Sequence, residues 1–589
     1  MRFLCGLLLA GMLCAQTRVF PLREVRPGMK GVGKTVFSGD RIEEFQVEIL
    51  GVLDNIGPKQ SLILARLSGG PLAKTGVLQG MSGSPVYIGD RLVGALAMAF
   101  AFSTEPIAGI RPIEEMLRVR EPAPPSPRQA RGALWDGQLA SLIPAQQDVL
   151  ASGGAKMVDI ATPVSFGGFT RNTIEHFAPQ LRSLGLEPCQ GMGGGSRPGP
   201  ALGNPAALQP GSMISVQLLS GDMSIGADGT ITAIDGQKVY AFGHRFLAIG
   251  GTDLPFARAE VLTLLPNLAT SFKISAAREW MGTITEDRST AIAGQLGRRA
   301  ATVPVEISVR RRGPSSASET PASYQLRMVN DTVLSPFLLQ MAVFSAIDAT
   351  ERTVGDSSFA VTGEVEFAGG APRLKLNNMY AGDLNLAAQV ALSTAVPLAY
   401  VMQSGFETLK LKRVALEIGS FPQKRQLQID QLWSSRREVR PGGSLELTVV
   451  LAGDNGAELT RKVAYHVPIG ALPGPLQFTA ADAMSINLTE YRQLIATPPK
   501  SAAQLLSLMN SLRANTKAYL RVWRAEPAYE VQGQSLPGPP PSLGMILARS
   551  QASLSGLPAL ANSKVAEFEI GAGDMVVSGS KTIQVEVKE

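Results

Sequence analysis

One serine in this chain sits where its hydroxyl could react. In Gly80-Met-Ser-Gly-Ser-Pro, Ser82 stands between two glycines and ahead of Pro85, and a strand-like Val-Tyr-Ile follows. A serine hydroxyl is a weak nucleophile at neutral pH. To attack a carbonyl it needs a base within hydrogen-bond reach and donors for the oxyanion that forms. Gly80 lets the backbone turn so that the amides of Gly80 and Ser82 can point into one pocket, the expected oxyanion hole. Gly83 has no side chain to crowd an acyl group, and Pro85 ends the loop. The same letters also suit a plain turn between strands, and the hexapeptide alone leaves both readings open. The α/β-hydrolase elbow G-x-S-x-G fits less well, because a strand and not a helix comes next.

The base has few candidates, since the chain holds three histidines. His176 falls on an amphipathic helical pattern between Glu175 and Phe177 and reads as a surface residue. His466 alternates in a strand far toward the C-terminus and suits packing. His244 ends "QKVYAFGH" directly after Gly243, where the chain must turn, and strand ends beside glycines are common places for site residues. Elimination selects His244.

A second motif is a decoy. Gly28-Met-Lys-Gly-Val-Gly-Lys34-Thr35 fits the phosphate-loop pattern letter for letter, but Pro27 precedes it and the β-branched "TVFSGDRIEEFQV" stands where a helix would be needed. Its glycines are expected to make a turn before the first strand. The scattered histidines leave a zinc site to be built mostly from carboxylates, and no organic-cofactor motif survives inspection, so neither a metal nor a cofactor is expected.

The elements that must position these residues read as mainly β. At 589 residues the chain exceeds one hydrophobic core, and 61 glycines, 40 prolines and 45% hydrophobic residues suit a loop-rich β protein. The 55 basic and 49 acidic residues are spread along the chain without blocks of like charge, so the net charge of +6 does not imply nucleic acid. Pro/Gly-rich stretches at 121–132, 190–205 and 535–542 mark expected boundaries. "TRNTIEHFAPQLRSLG" predicts a helix capped by Asn172 with Ile174, Phe177, Leu181 and Leu184 on one face. Asp235-Gly236 and Asp454-Asn455-Gly456 predict hairpins, as does the terminal "DMVVSGSKTIQVEV". Helices are expected at Pro336–Ala349 and Leu384–Gln403, the latter a buried pair or a kinked helix at Pro397, and another is capped by Ser501. "MRFLCGLLLAGMLCAQ" has the layout of a secretory signal peptide cleaved near Ala15. Cleavage leaves Cys189 as the single thiol, with no internal disulfide, in an exported chain without a transmembrane span.

With Ser82 and His244 in hand, the chain resembles the SpoIVB-type serine peptidases, a chymotrypsin-like family. "SLILARLSGGPLAKTGVLQGMSGSPVYIGDRLVGALAMAF" and "IAGIRPIEEML" are similar to the family's nucleophile half, and "GTITAIDGQKVYAFGH" to its Gly-His strand. "GTITEDRSTAIAGQLG" is similar to a segment beyond that histidine. The resemblance implies a double β-barrel, in residues 16–120 and 206–300, with Ser82 as nucleophile and His244 as base on a protein or peptide substrate. Residues 121–205 link the halves, a mixed α/β region occupies 301–430, and a β-sandwich-like region 431–589. The family's order is histidine half before serine half, whereas here the serine comes first. A permuted order preserves a cleft between barrels, since triads are recognised by geometry and role. The family's acid precedes its nucleophile loop. The matching position here is Ser68 or a neighbour, none acidic, so Asp54 or Asp253 could take that role from elsewhere. The competing expectation is a catalytically degenerate scaffold that binds peptide or cell-envelope partners.

Overall fold

Alternating burial along Lys30–Ser38 shows what the phosphate-loop-like motif builds. It is a strand, β1, and only Gly28 (φ +83°) lies in a turn. Gly31 and Gly33 sit inside the strand because neighbours press on them. A Cβ at Gly33 would lie 2.1 Å from the Phe45 ring, and one at Gly31 would lie 2.4 Å from the Tyr87 carbonyl oxygen. The expected turn is therefore corrected to a close-packed strand. The computed structural model describes residues 18–100, 103, 105–119, 143, 150–152, 155–191, 201–267, 270–312, 320–350, 355–454, 456–496, 498–526, 528–531, 534–537, 539–549 and 562–589. The signal-peptide reading and the whole 121–132 stretch lie outside them.

β1 opens a set with β2 (Arg41–Gly57), β3 (Gln60–Ser68), β4 (Pro85–Ile88), β5 (Arg91–Phe100) and β6 (Ile107–Pro112). The pairings β1–β2, β2–β3, β3–β6, β6–β5, β5–β4 and β4–β1 run round a ring of six antiparallel strands. Phe45, Val47, Ile63, Leu67, Val86, Leu96 and Ile110 fill its interior. β7 (Leu150–Ser152) and β8 (Ala155–Asp159) extend this sheet beyond β5.

β9 (Thr162–Gly167) and β10 (Leu186–Gln190) pair in parallel across the helix Arg171–Ser183. Thr170, not Asn172, caps that helix, its hydroxyl accepting from the Thr173 amide at 3.2 Å. Ile174, Phe177, Leu181 and Leu184 are buried as the spacing predicts, and His176 is exposed.

A second ring comes next: β11 (Met213–Gly221), β12 (Ser224–Asp235), β13 (Lys238–Ala241), β14 (Gly250–Leu265), β15 (Phe272–Arg288) and β16 (Ala291–Leu296). Here β11–β12, β12–β13, β13–β16, β16–β15, β15–β14 and β14–β11 pair in turn, all antiparallel. The β12–β13 connection is the expected hairpin, with Gly236 at φ +58° in the left-handed region a short turn requires. All strands through β16 belong to one unit of the chain.

A second unit holds most of the chain from Val303 onward. It contains a sheet ordered Thr302–Arg311, Leu411–Phe421, Ser357–Phe367, Leu374–Gly382, and the helices Leu334–Thr350 and Leu386–Met402. The latter is one helix with Pro397 inside it. No helix among the described residues is long and apolar enough to cross a membrane. Two further sheets share a core built on Leu447, Val449, Phe478, Leu520 and Val585. Ser444–Ala452 and Glu458–His466 pair as expected, and His466 is exposed at the strand end. Ser501 caps the helix Ala502–Asn510. The terminal hairpin is corrected: Val576–Ser578 pairs in parallel with Gln426–Ser434, and Ser580–Val587 pairs with Gly474–Asp482. Only Gly579 separates the two strands, too few residues for a two-residue turn, so the chain changes sheets there.

Candidate active site

The loop before β4 is held from one side. The carbonyl of Gly80 accepts from the Thr230 hydroxyl at 3.0 Å, that of Ser82 from the Thr230 amide at 2.9 Å, and that of Gly83 from the Thr232 hydroxyl at 2.7 Å. All three donors lie on β12. Gly80 and Gly83 both stand at φ +89°, which L side chains rarely adopt. The Gly83 amide donates to the Leu96 carbonyl at 2.7 Å. Among the described residues nothing accepts from the amides of Gly80 or Ser82. Two donors are thus left on the loop that carries the hydroxyl, the supply an oxyanion requires.

His244 comes directly after a strained corner. Phe242 (φ +69°) and Gly243 (φ +71°) are both in the left-handed region, and such strain collects at functional sites. The ring Nδ1 lies 2.6 Å from the carbonyl oxygen of Arg245. A carbonyl only accepts, so Nδ1 carries the hydrogen and Nε2 presents its lone pair. Burial holds the imidazole below its ordinary range, partly opposed by the charge of Asp159, so the ring is neutral at pH 7 and able to take a proton. Behind it, the fully buried Asp287 carboxylate accepts from the amides of Phe246 at 2.8 Å, Leu247 at 2.7 Å and Ile249 at 3.2 Å. Burial pushes Asp287 up to about 6 against those bonds, and at neutral pH it is the ionised anchor of the loop after His244.

The two segments meet. A Cβ at Gly83 would lie 2.0 Å from the Thr230 carbonyl oxygen and 2.5 Å from the Phe242 nitrogen, and one at Gly243 would lie 3.0 Å from the Leu96 carbonyl oxygen. Ser82 and His244 are therefore each one residue from a glycine seam on the same carbonyl. They are 0% and 2% exposed, and neither Ser82 Oγ nor His244 Nε2 has a hydrogen-bond partner, each other included. Buried polar atoms nearly always find partners, and an unpaired one calls for an explanation, of which a catalytic role is one.

Residues 12–117 match the family model of the SpoIVB peptidase S55. This segment of the chain is similar to the SpoIVB-type serine peptidase family. The match contains Ser82 and its loop and ends before His244. No curated protein and no solved structure matches the chain.

The residues expected to orient the histidine are not bonded to it. Ser68 is exposed at the end of β3. Asp54 accepts from the Ser61 hydroxyl at 3.0 Å. Asp253 accepts from Arg298 at 3.1 Å and from the Ala301 amide at 2.7 Å. None of the three is bonded to His244. The carboxylate whose charge acts on the ring is Asp159, at the end of β8, paired opposite Met98. Sequence reasoning missed it, because only the addition of β8 to β5 brings it near.

Lys273 was missed as well. It is 1% exposed, its Cδ lies 3.4 Å from where a Gly80 Cβ would be, and its Nζ donates to Thr35 Oγ1 at 2.8 Å. Burial pushes it down to about 7. Its amide also donates to the Gln79 carbonyl at 3.2 Å, so this lysine forms part of the bed under the Ser82 loop. Among the described residues no group of three or more potential ligands could hold a metal.

Proposed function

We propose that the chain is an exported serine endopeptidase that hydrolyses a protein substrate through an acyl-enzyme. Ser82 Oγ forms a bond to the scissile carbonyl carbon as its proton passes to His244 Nε2. The amides of Gly80 and Ser82 hold the oxyanion. The C–N bond then breaks, the leaving amine takes the proton from Nε2, and water repeats the sequence on the ester to release the acid and restore the hydroxyl. The Arg245 carbonyl keeps the hydrogen on Nδ1, and the Asp159 charge favours the imidazolium that forms. The observation carrying this reading is the unpartnered hydroxyl and unpartnered imidazole nitrogen on segments that share the Leu96 seam.

A fluorophosphonate probe tests it. The wild-type protein is expected to label at Ser82, and Ser82→Ala and His244→Ala each to abolish labelling while the circular dichroism spectrum is kept. A folded wild-type protein that stays unlabelled removes the catalytic reading. Fractionation of the producing cell checks export, with the mature N-terminus expected near Gln16.

One observation favours a second reading. Ser82 and His244 are buried and not bonded to one another, which suits a peptidase-like scaffold that binds peptide or a cell-envelope partner without cleaving it. Against it, catalytic hydrogen bonds are often long in unliganded enzymes and tighten only with substrate. Partner capture that is equal for wild type and Ser82→Ala, in a protein that does not label, would decide for the scaffold.

A further inference from the structure

A cavity of about 420 Å³ opens on the first unit away from the Ser82 loop, where three turns converge. Lys59 comes from the β2–β3 turn, Arg118 from just after the helical turn Ile113–Met116, and Arg288 from the end of β15. Among the described residues the wall carries one carboxylate, Glu115, and it is already committed. Its oxygens accept from the Ser61 amide at 2.7 Å and from the buried Arg111 guanidinium at 3.4 Å. Arg288 is shared with Glu286 at 2.7 Å. Among the described residues neither Lys59 nor Arg118 has a carboxylate partner. Gln60 and Thr290 add polar groups to the wall.

We infer that this cavity is a binding site for a small polyanion presenting phosphate or carboxylate oxygens. Like charges gathered on a concave wall attract counter-charge, and such oxygens accept bidentate and multiple donations from arginine and lysine. The volume is in the range of small-molecule sites. The site is also wired to His244. Arg111, directly behind Glu115, donates through Nε to the Gly243 carbonyl at 3.4 Å and through Nη1 to Gln60 at 3.3 Å, and its charge reaches the imidazole. An anion on the wall offsets that positive charge, so occupancy favours the protonated ring.

Calorimetry with the full chain tests the site at fixed ionic strength, with inorganic phosphate in one arm and citrate in the other. Saturable binding of either probe by the wild type is expected, with at least a tenfold loss in the Lys59→Gln/Arg118→Gln double variant and none in Ser82→Ala. Preference for phosphate assigns a phosphate ester, and preference for citrate assigns a polycarboxylate. No saturable heat with either probe, or equal binding by the double variant, overturns the site. The readout needs no peptidase activity, so its failure is separate from failure of the acyl-enzyme reading.

Discussion

Among single residues, Asp159 is the one whose role can be graded. In a triad, loss of the aspartate costs about 10⁴ in kcat because the tautomer is no longer fixed. Here the Arg245 carbonyl already holds the hydrogen on Nδ1. Asp159→Asn is therefore expected to slow Ser82 labelling by only about 10- to 100-fold, at or below the lower end of a full acid–base contribution of about 10²–10⁴. Because the Asp159 charge raises the ring's proton affinity, the acid limb of the pH–rate profile should move to lower pH in the variant. A limb that stays in place would mean the charge does not reach the ring.

Lys273 gives a stability test with a defined sign. Its folded value is depressed to about 7, whereas the unfolded chain keeps that proton to about 10.4. Between those limits the unfolded state binds more protons, so this residue makes stability rise with pH, and below pH 7 the full cost of the buried ammonium is present. Denaturant titration should find Lys273→Met more stable than wild type at pH 6, with the gain shrinking toward pH 10. An equal gain at both pH values would assign the effect to packing alone.

For the elements, the Ser82 loop and the loop after His244 are each fixed by long-range anchors. Asp287→Asn leaves one carbonyl oxygen to serve three amides, and its new amino group faces donors. The expected cost is about 1–3 kcal/mol, read from denaturant midpoints, with faster hydrogen exchange confined to the amides of Phe246, Leu247 and Ile249.

These elements also mark what was legible in the sequence. Glycine punctuation around Ser82 and at Gly243 is local, so the turn, the strand and the two candidate side chains could be read from a few letters. Asp287 lies within "GTITEDRSTAIAGQLG", one of the family-like segments, and two acidic residues before a turn were the available signal. Asp159 had none: it is an ordinary strand-end aspartate until β8 pairs with β5. The strand through Gly31 and Gly33 was missed because glycine usually signals a turn, whereas here the Phe45 ring and the Tyr87 carbonyl demand its small size. The terminal hairpin failed because period-2 patterning gives strands but not their partners.

For the whole molecule, the burial of Ser82 and His244 has a kinetic consequence. A reagent reaches the hydroxyl only after local opening, so the labelling rate should level off as probe concentration rises, at the rate of that opening. A rate that stays linear in probe would show that the site is already open in solution.

The glycine seam sets a rule for anyone recombining this protein. At the Leu96 carbonyl two chain segments that are distant in sequence touch backbone to backbone, with no side chain between them to absorb a misfit. Neither half can be exchanged for that of a relative unless the incoming piece is equally bare at its own contact point.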